Sequence, residues 1–279
     1  MDKIQTVIQD YLNEPVTMES RLMGGMSNQM YIIGYQGERC TFRIPGKNAS
    51  MFVDRHLELK NIEAVRELGI NNETLVFDTA NGYKLAAYVD GTPLSQLEDL
   101  HLKEAAAVLH ELHDSSVRFE NDYDPFARLS LYESYHRHQS EAYQATKAAL
   151  LQYESYLAAQ PKVACHNDAQ RSNFVLADGK TYLLDWEFAG NNDPLYDIAC
   201  FGNINFDHAL ALLPVYLGRE ASNDDIKRLT LWRTFQALQW HNVAWYKEDI
   251  GLSAELGVNF AAVAEKYLAL AASLLSQVD

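Results

Sequence analysis

The apolar residues of this chain change their period once, near Asp90-Gly91-Thr92-Pro93. Before that point short strand-like runs dominate, at 30–35, 41–44, 74–78 and 84–89. Gly24-Gly25, Gly37 and Asn81-Gly82 punctuate them as turn signals. Helices are expected at 4–12 and at 53–68, the second stopped by Gly69. After residue 93 the spacing is helical. Leu102, Ala105, Ala106, Leu109 and Leu112 share one face. The stretch 130–159 reads as one long amphipathic helix, and 224–247 and 260–278 close the chain as two more. One β-rich island interrupts the helices: residues 174–176, a turn at Asp178-Gly179, and residues 182–184. A small β-rich lobe at 1–90 followed by a larger, mainly helical lobe at 91–279 is an α+β pattern.

Composition narrows the functional classes. A length of 279 residues suits two lobes, and 48% hydrophobic content supplies a sizeable core. No stretch approaches the roughly 20 consecutive apolar residues of a membrane span. The polar, acidic residues 1–10 do not read as a signal peptide. A net charge of −15 argues against nucleic acid and anionic membrane surfaces, and is compatible with a cationic substrate. The 3 cysteines, Cys40, Cys165 and Cys200, are odd in number and widely spaced, which suits neither a disulfide framework nor structural zinc. A reducing cytoplasm is the expected compartment.

The chemistry concentrates around the island. His166-Asn167-Asp168 is followed by Asn173, and a strand, a turn and a second strand lead to Asp185. Transfer of a phosphoryl group from ATP needs groups of this kind. A carboxylate must orient the attacking hydroxyl and accept its proton, and Asp168 is the candidate. Mg²⁺ takes hard oxygen ligands and keeps several waters, so Asn173 and Asp185 suffice as its protein ligands. The spacing H-x-D-x-x-x-x-N matches a kinase catalytic loop, with Asp185 in the place of the later metal-binding Asp. Asp193 is placed to cap a helix that begins at Pro194. Asp193, Asp197 and His166 are read as structural support for the loop.

At these residues the chain resembles the aminoglycoside-phosphotransferase-like kinases and, within them, the choline/ethanolamine kinases of bacterial type. The segment 183–199, Leu-Leu-Asp-Trp-Glu-Phe-Ala-Gly-Asn-Asn-Asp-Pro-Leu-Tyr-Asp-Ile-Ala, carries the likeness. The resemblance implies a protein-kinase-like bilobal fold with ATP in the cleft. It places Gly25, Ser27 and Asn28 in a phosphate loop, where backbone N–H groups approach phosphate oxygens. It sets Arg43 in the position of the strand lysine, with Glu58 on the following helix as its partner and Glu63 as the competing choice. Ala87 and Tyr88 fall in the hinge that meets adenine through backbone groups.

The same resemblance implies a small cationic alcohol as acceptor, choline first, with ethanolamine, thiamine or an aminoglycoside as alternatives and a nucleotide-binding pseudokinase as the non-enzymatic one. A quaternary ammonium has no N–H to donate, so aromatic faces and nearby carboxylates must recognise it. Trp240, Tyr196 and Glu187 are the implied acceptor-site residues. The bacterial relatives carry a second Trp where this chain has Val243. Trp245 is displaced from there by about 200° of helix rotation and is expected to face elsewhere. Trp232 and Phe235 read as core. His110 and His113 lack a third ligand and read as packing residues.

Overall fold

The computed structural model describes residues 2–22 and 28–278. A terminal helix, α1 (Asp2–Leu12), leads into β1 (Val16–Leu22), β2 (Asn28–Tyr35) and β3 (Glu38–Pro45). Then come α2 (Arg55–Ala64), β4 (Thr74–Phe77) and β5 (Lys84–Ala87). The strands form one five-stranded sheet in the order β1-β2-β3-β5-β4, antiparallel throughout. β2 and β3 close through Gln36-Gly37, both at positive φ (51° and 87°), the twist a two-residue hairpin requires. A small apolar core under this sheet joins Ile8 of α1 to Ile33, Phe42 and Leu85.

The connector enters the helical region through β6 (Thr92–Pro93), which pairs with the later island. Gly91 is required here: a Cβ on it would lie 2.5 Å from the Leu176 carbonyl oxygen. The helical region runs α3 (Leu102–His113), α4 (Pro125–Glu133), α5 (Glu141–Leu151) and α6 (Glu154–Ala158). Strands β7 (Val163–Cys165), β8 (Phe174–Ala177), β9 (Lys180–Leu183) and β10 (Gly190–Asn192) follow, and then α7 (Pro194–Phe201), α8 (Phe206–Leu217), α9 (Asn223–Asp249), α10 (Leu252–Leu256) and α11 (Phe260–Leu275). β8 and β9 form the expected hairpin over Asp178-Gly179, again at positive φ (48° and 77°).

α9 is the axis of this region. Its 27 residues open on a capping box between Ser222 and Asp225, and most of the helix from Leu229 onward is buried. Trp232 and Phe235 lie in the large core, as their spacing suggests.

The structure corrects the sequence reading in two places. The stretch 130–159 is broken into α4, α5 and α6. The Ser134 hydroxyl donates to the Leu131 carbonyl, and Ser140 starts a new helix by accepting from the Tyr143 N–H. Such local side-chain bonds offer the backbone an alternative to continued helix. β1 was not among the expected strand runs, because its residues after Val16 are mostly exposed and the alternation of Val16, Met18 and Leu22 is interrupted by Ser20, where the pairing with β2 shifts register.

Candidate active site

β7 delivers the chain into His166-Asn167-Asp168, and one buried carboxylate fixes the turn. Asp197, in the first turn of α7, accepts from the His166 N–H at 2.8 Å and the Asn167 N–H at 2.6 Å. It also meets His113 Nε2 of α3 at 3.0 Å. The His166 ring bridges the loop to the strand beyond it: Nε2 donates to the Leu184 carbonyl and Nδ1 accepts from the Asp168 N–H. That pattern needs a neutral imidazole, and burial holds this histidine down at about 4. Asp193 caps α7 through the Leu195 N–H and is held by Arg228 and Trp232 of α9.

Asp168 itself is bonded on one side only. Its Oδ2 accepts from Asn173 Nδ2 and from Gln170 Nε2, each at 3.1 Å. Among the described residues nothing donates to Oδ1. Burial, then the charges of Asp185 and Glu187, push this carboxyl well above its ordinary value, which makes it a stronger base when ionised. Because Asn173 uses its amide nitrogen on Asp168, its carbonyl oxygen is left as an acceptor for a cation. Asp185 follows β9 with φ at 70°, and Asn167 has φ at 63°. Both are non-glycine residues in the left-handed region, a strain that persists only where surrounding structure enforces it. Among the described residues no donor is bonded to the Asp185 carboxylate, and burial raises its proton affinity. Two hard oxygen donors without protein partners fit a Mg²⁺ ion.

Facing these groups is a buried charge cluster built on the sheet and α2. Arg43 grips Glu58 with two nitrogens, at 2.5 and 3.0 Å. Glu63 is exposed, so the choice between the two falls to Glu58. Burial works against the Glu58 charge, but Arg43, Lys84 and Arg55 outweigh it and hold the carboxyl below its usual value. Arg43 also donates Nε–H to the Gly82 carbonyl, which leaves two of its five N–H bonds for a phosphate. Arg55 joins Glu58 at 2.6 Å to Glu187 at 3.0 Å. Lys84 stands opposite Arg43 in the strand register and is buried. The cluster thus sets Arg43, Arg55 and Lys84 against Glu58, Asp185 and Glu187.

A small pocket opens beside Asp168, with Phe52, Tyr123, Tyr132, Phe188, Tyr196 and Trp240 as its aromatic lining and Val243 and Lys247 further along α9. The Tyr196 hydroxyl is already used, on Tyr123 and on Gln239, so only its ring is offered. Trp245 stacks on His138 at 3.9 Å and is not part of the lining, as the helix rotation predicts.

Three expectations need correcting. Glu187 does not line this pocket: its carboxylate accepts from Arg55 and Asn28, and burial followed by the Asp185 charge pushes it up to about 7. Asn28 spends its amide on Glu187 and Arg55, so it ties β2 to the charge cluster. In the hinge, the Ala87 and Tyr88 N–H groups donate to the Glu73 and Arg39 carbonyls and the Ala87 carbonyl accepts from Asn72, so among these groups the Tyr88 carbonyl alone is left to meet a base. Gly25 and Ser27 lie outside the described residues. Arg55, Lys84, His113 and Lys247 were missed as contributors. Only Lys247 left a signal, because it stands seven residues after Trp240 on the same helix face.

The bilobal fold, with a positioned carboxylate and cation-binding oxygens on one side and a buried arginine on the other, defines a small-molecule kinase of protein-kinase-like architecture. A model of the phosphotransferase enzyme family, APH, matches residues 20–238, and the chain belongs to that family. Among curated proteins, Protein LicA of Haemophilus influenzae is 30% identical over 275 residues, covering 92% of this chain and 79% of that protein. Among solved structures, choline kinase LicA from Streptococcus pneumoniae superposes with a TM-score of 0.82 at 23% identity, covering 99% of each chain. Plasmodium vivax ethanolamine kinase matches with a TM-score of 0.73 at 16% identity, over 91% of this chain and 82% of that one. At these identities the two structures speak for the fold alone. The family resemblance read from segment 183–199 holds.

Proposed function

We propose that the enzyme transfers the terminal phosphoryl group of ATP to the hydroxyl of a small ammonium alcohol of the choline type. One observation carries this reading. The unbonded Oδ1 belongs to Asp168, the carboxylate that lines the aromatic pocket. An alcohol seated there presents its hydroxyl to a base of raised proton affinity, and aromatic faces suit an ammonium group. The curated relative at 30% identity bears the name LicA, which the choline kinase of Streptococcus pneumoniae also bears, in support of the same class of acceptor.

In this mechanism Asp168 orients the hydroxyl and takes its proton, while Asn173 and Gln170 hold Asp168 in place. Asn173 and Asp185 hold Mg²⁺, which when bound neutralises phosphate charge. The free N–H groups of Arg43 receive phosphate oxygens, and Glu58 keeps the guanidinium in register. His166, Asp193 and Asp197 keep the loop in shape. Nucleotide binding falls to the lobe at 1–90 and acceptor binding to the lobe at 91–279. The thiols of Cys40, Cys165 and Cys200, all buried and unpaired, suit a cytoplasmic setting.

Coupled ADP release with purified protein, ATP and Mg²⁺ tests the reading, with choline, ethanolamine, thiamine and kanamycin as acceptors. Turnover with choline or ethanolamine is expected. ATP binding without turnover on any alcohol would show a pseudokinase.

A further inference from the structure

α9 faces the pocket with a single stripe, Gln236, Gln239, Trp240, Val243 and Lys247, spaced as one side of a helix. Its polar members differ sharply in how they are used. Gln236 donates to the Tyr196 carbonyl at 3.0 Å, and Gln239 donates to the Tyr123 hydroxyl at 2.9 Å. Lys247 is only 6% exposed, and its Nζ has no hydrogen-bond partner among the described residues. Its Nζ lies over the face of Phe260, 5.6 Å from the ring centroid. Glu187 attracts it from a distance but is engaged by Arg55.

A buried ammonium without an acceptor is costly, and a protein ordinarily pairs it or loses it. Burial lowers the proton affinity of Lys247 to about 8, which still leaves it mostly charged at neutral pH. A bare quaternary ammonium placed in the same pocket would be repelled by this charge. An anionic oxygen would satisfy all that the amine lacks.

We infer that Lys247 is a specificity-determining residue that receives an anionic oxygen at the end of the acceptor remote from its hydroxyl. The preferred acceptor is then a zwitterionic ammonium alcohol, with the hydroxyl at Asp168, the ammonium against the aromatic rings and a carboxylate or similar group at Lys247. This deepens the kinase reading above and rests on it.

The test compares kcat/KM for choline, ethanolamine, L-serine and L-homoserine in the wild type, Lys247→Met and Lys247→Arg. In the wild type one of the two hydroxy amino acids is expected to exceed choline. Lys247→Met should lower its kcat/KM by about tenfold or more through KM, since a charge-assisted hydrogen bond is lost. It should also improve choline and raise the melting temperature. Lys247→Arg should keep the zwitterion preference, which separates lost charge from lost folding. Wild-type turnover of choline without either amino acid, at a KM that Lys247→Met does not change, would overturn the inference and leave the kinase standing. No turnover on any alcohol would bring down the kinase reading and this assignment with it.

Discussion

The sheet side of the site and its helical side hold charged groups of similar kind and treat them in opposite ways. On the sheet side Arg43, Arg55 and Glu58 are tied together in a buried set that also takes in Glu187 from the segment after Asp185, and only two N–H groups of Arg43 are left over for phosphate. On the helical side Asp168, Asp185 and Lys247 keep atoms that no described residue satisfies. The difference separates two tasks. Charges that are spent on each other fix geometry, and charges left unspent are available to substrate and metal. Asp197, in the first turn of α7, shows the same division beside the catalytic loop. It lies about thirty residues from Asp168 in sequence, yet its two oxygens are fully used by backbone and His113.

The comparison breaks most directly at Asp168. Asp168→Asn should lower kcat by about 10³-fold while the melting temperature stays near wild type, because an unspent charge contributes to chemistry and not to folding. Near-full activity in that variant, measured by ADP release, would remove Asp168 from the mechanism. On the opposite side Glu58→Ala should destabilise the fold by about 3 kcal/mol, since Arg43 and Arg55 would be buried without their acceptor. Urea denaturation reads this, and an unchanged midpoint would mean that the cluster does not position anything.

The pH dependence sharpens the contrast. Glu187 and Asp168 have proton affinities raised by burial, so they take up protons at higher pH than free carboxyls do. The ionised form of Asp168 is the working one, so kcat/KM should fall on acidification at a pH above the ordinary carboxyl range, by up to tenfold per pH unit. A profile flat down to pH 5 would contradict this. The smallest effect is expected at the tryptophans. Trp240→Ala should raise the acceptor KM about fivefold, the loss of roughly 1 kcal/mol of cation–π contact. Trp245→Ala should leave it unchanged, since that ring lies against His138.

The loop chemistry was legible from sequence because its parts are local. His166, Asp168, Asn173 and Asp185 closely flank one hairpin whose Asp-Gly turn announces itself. The partner of Arg43 was less so: Glu58 and Glu63 lie on neighbouring turns, and only the packing of α2 against the sheet decides between them. Glu187 was misplaced for a related reason. It follows Asp185 by two residues, but its direction is set by Arg55 and Asn28, which are far away in sequence. The edge strand β1 and the break between α4 and α5 escaped because β1 is mostly exposed and Ser20 interrupts its alternation, and because a serine cap is a weak local signal.

The stripe on α9 has a further consequence for how such an enzyme changes over generations. The helix is anchored near its start, where Arg228 and Trp232 hold Asp193, while the pocket-facing positions lie along its later turns. Val243 and Lys247 line the pocket but belong to neither the catalytic hairpin nor its supports. On the assignment of Lys247 proposed above, new acceptors would be open to descendants of this chain through one or two side chains on a single helix, apart from the machinery that moves the phosphoryl group.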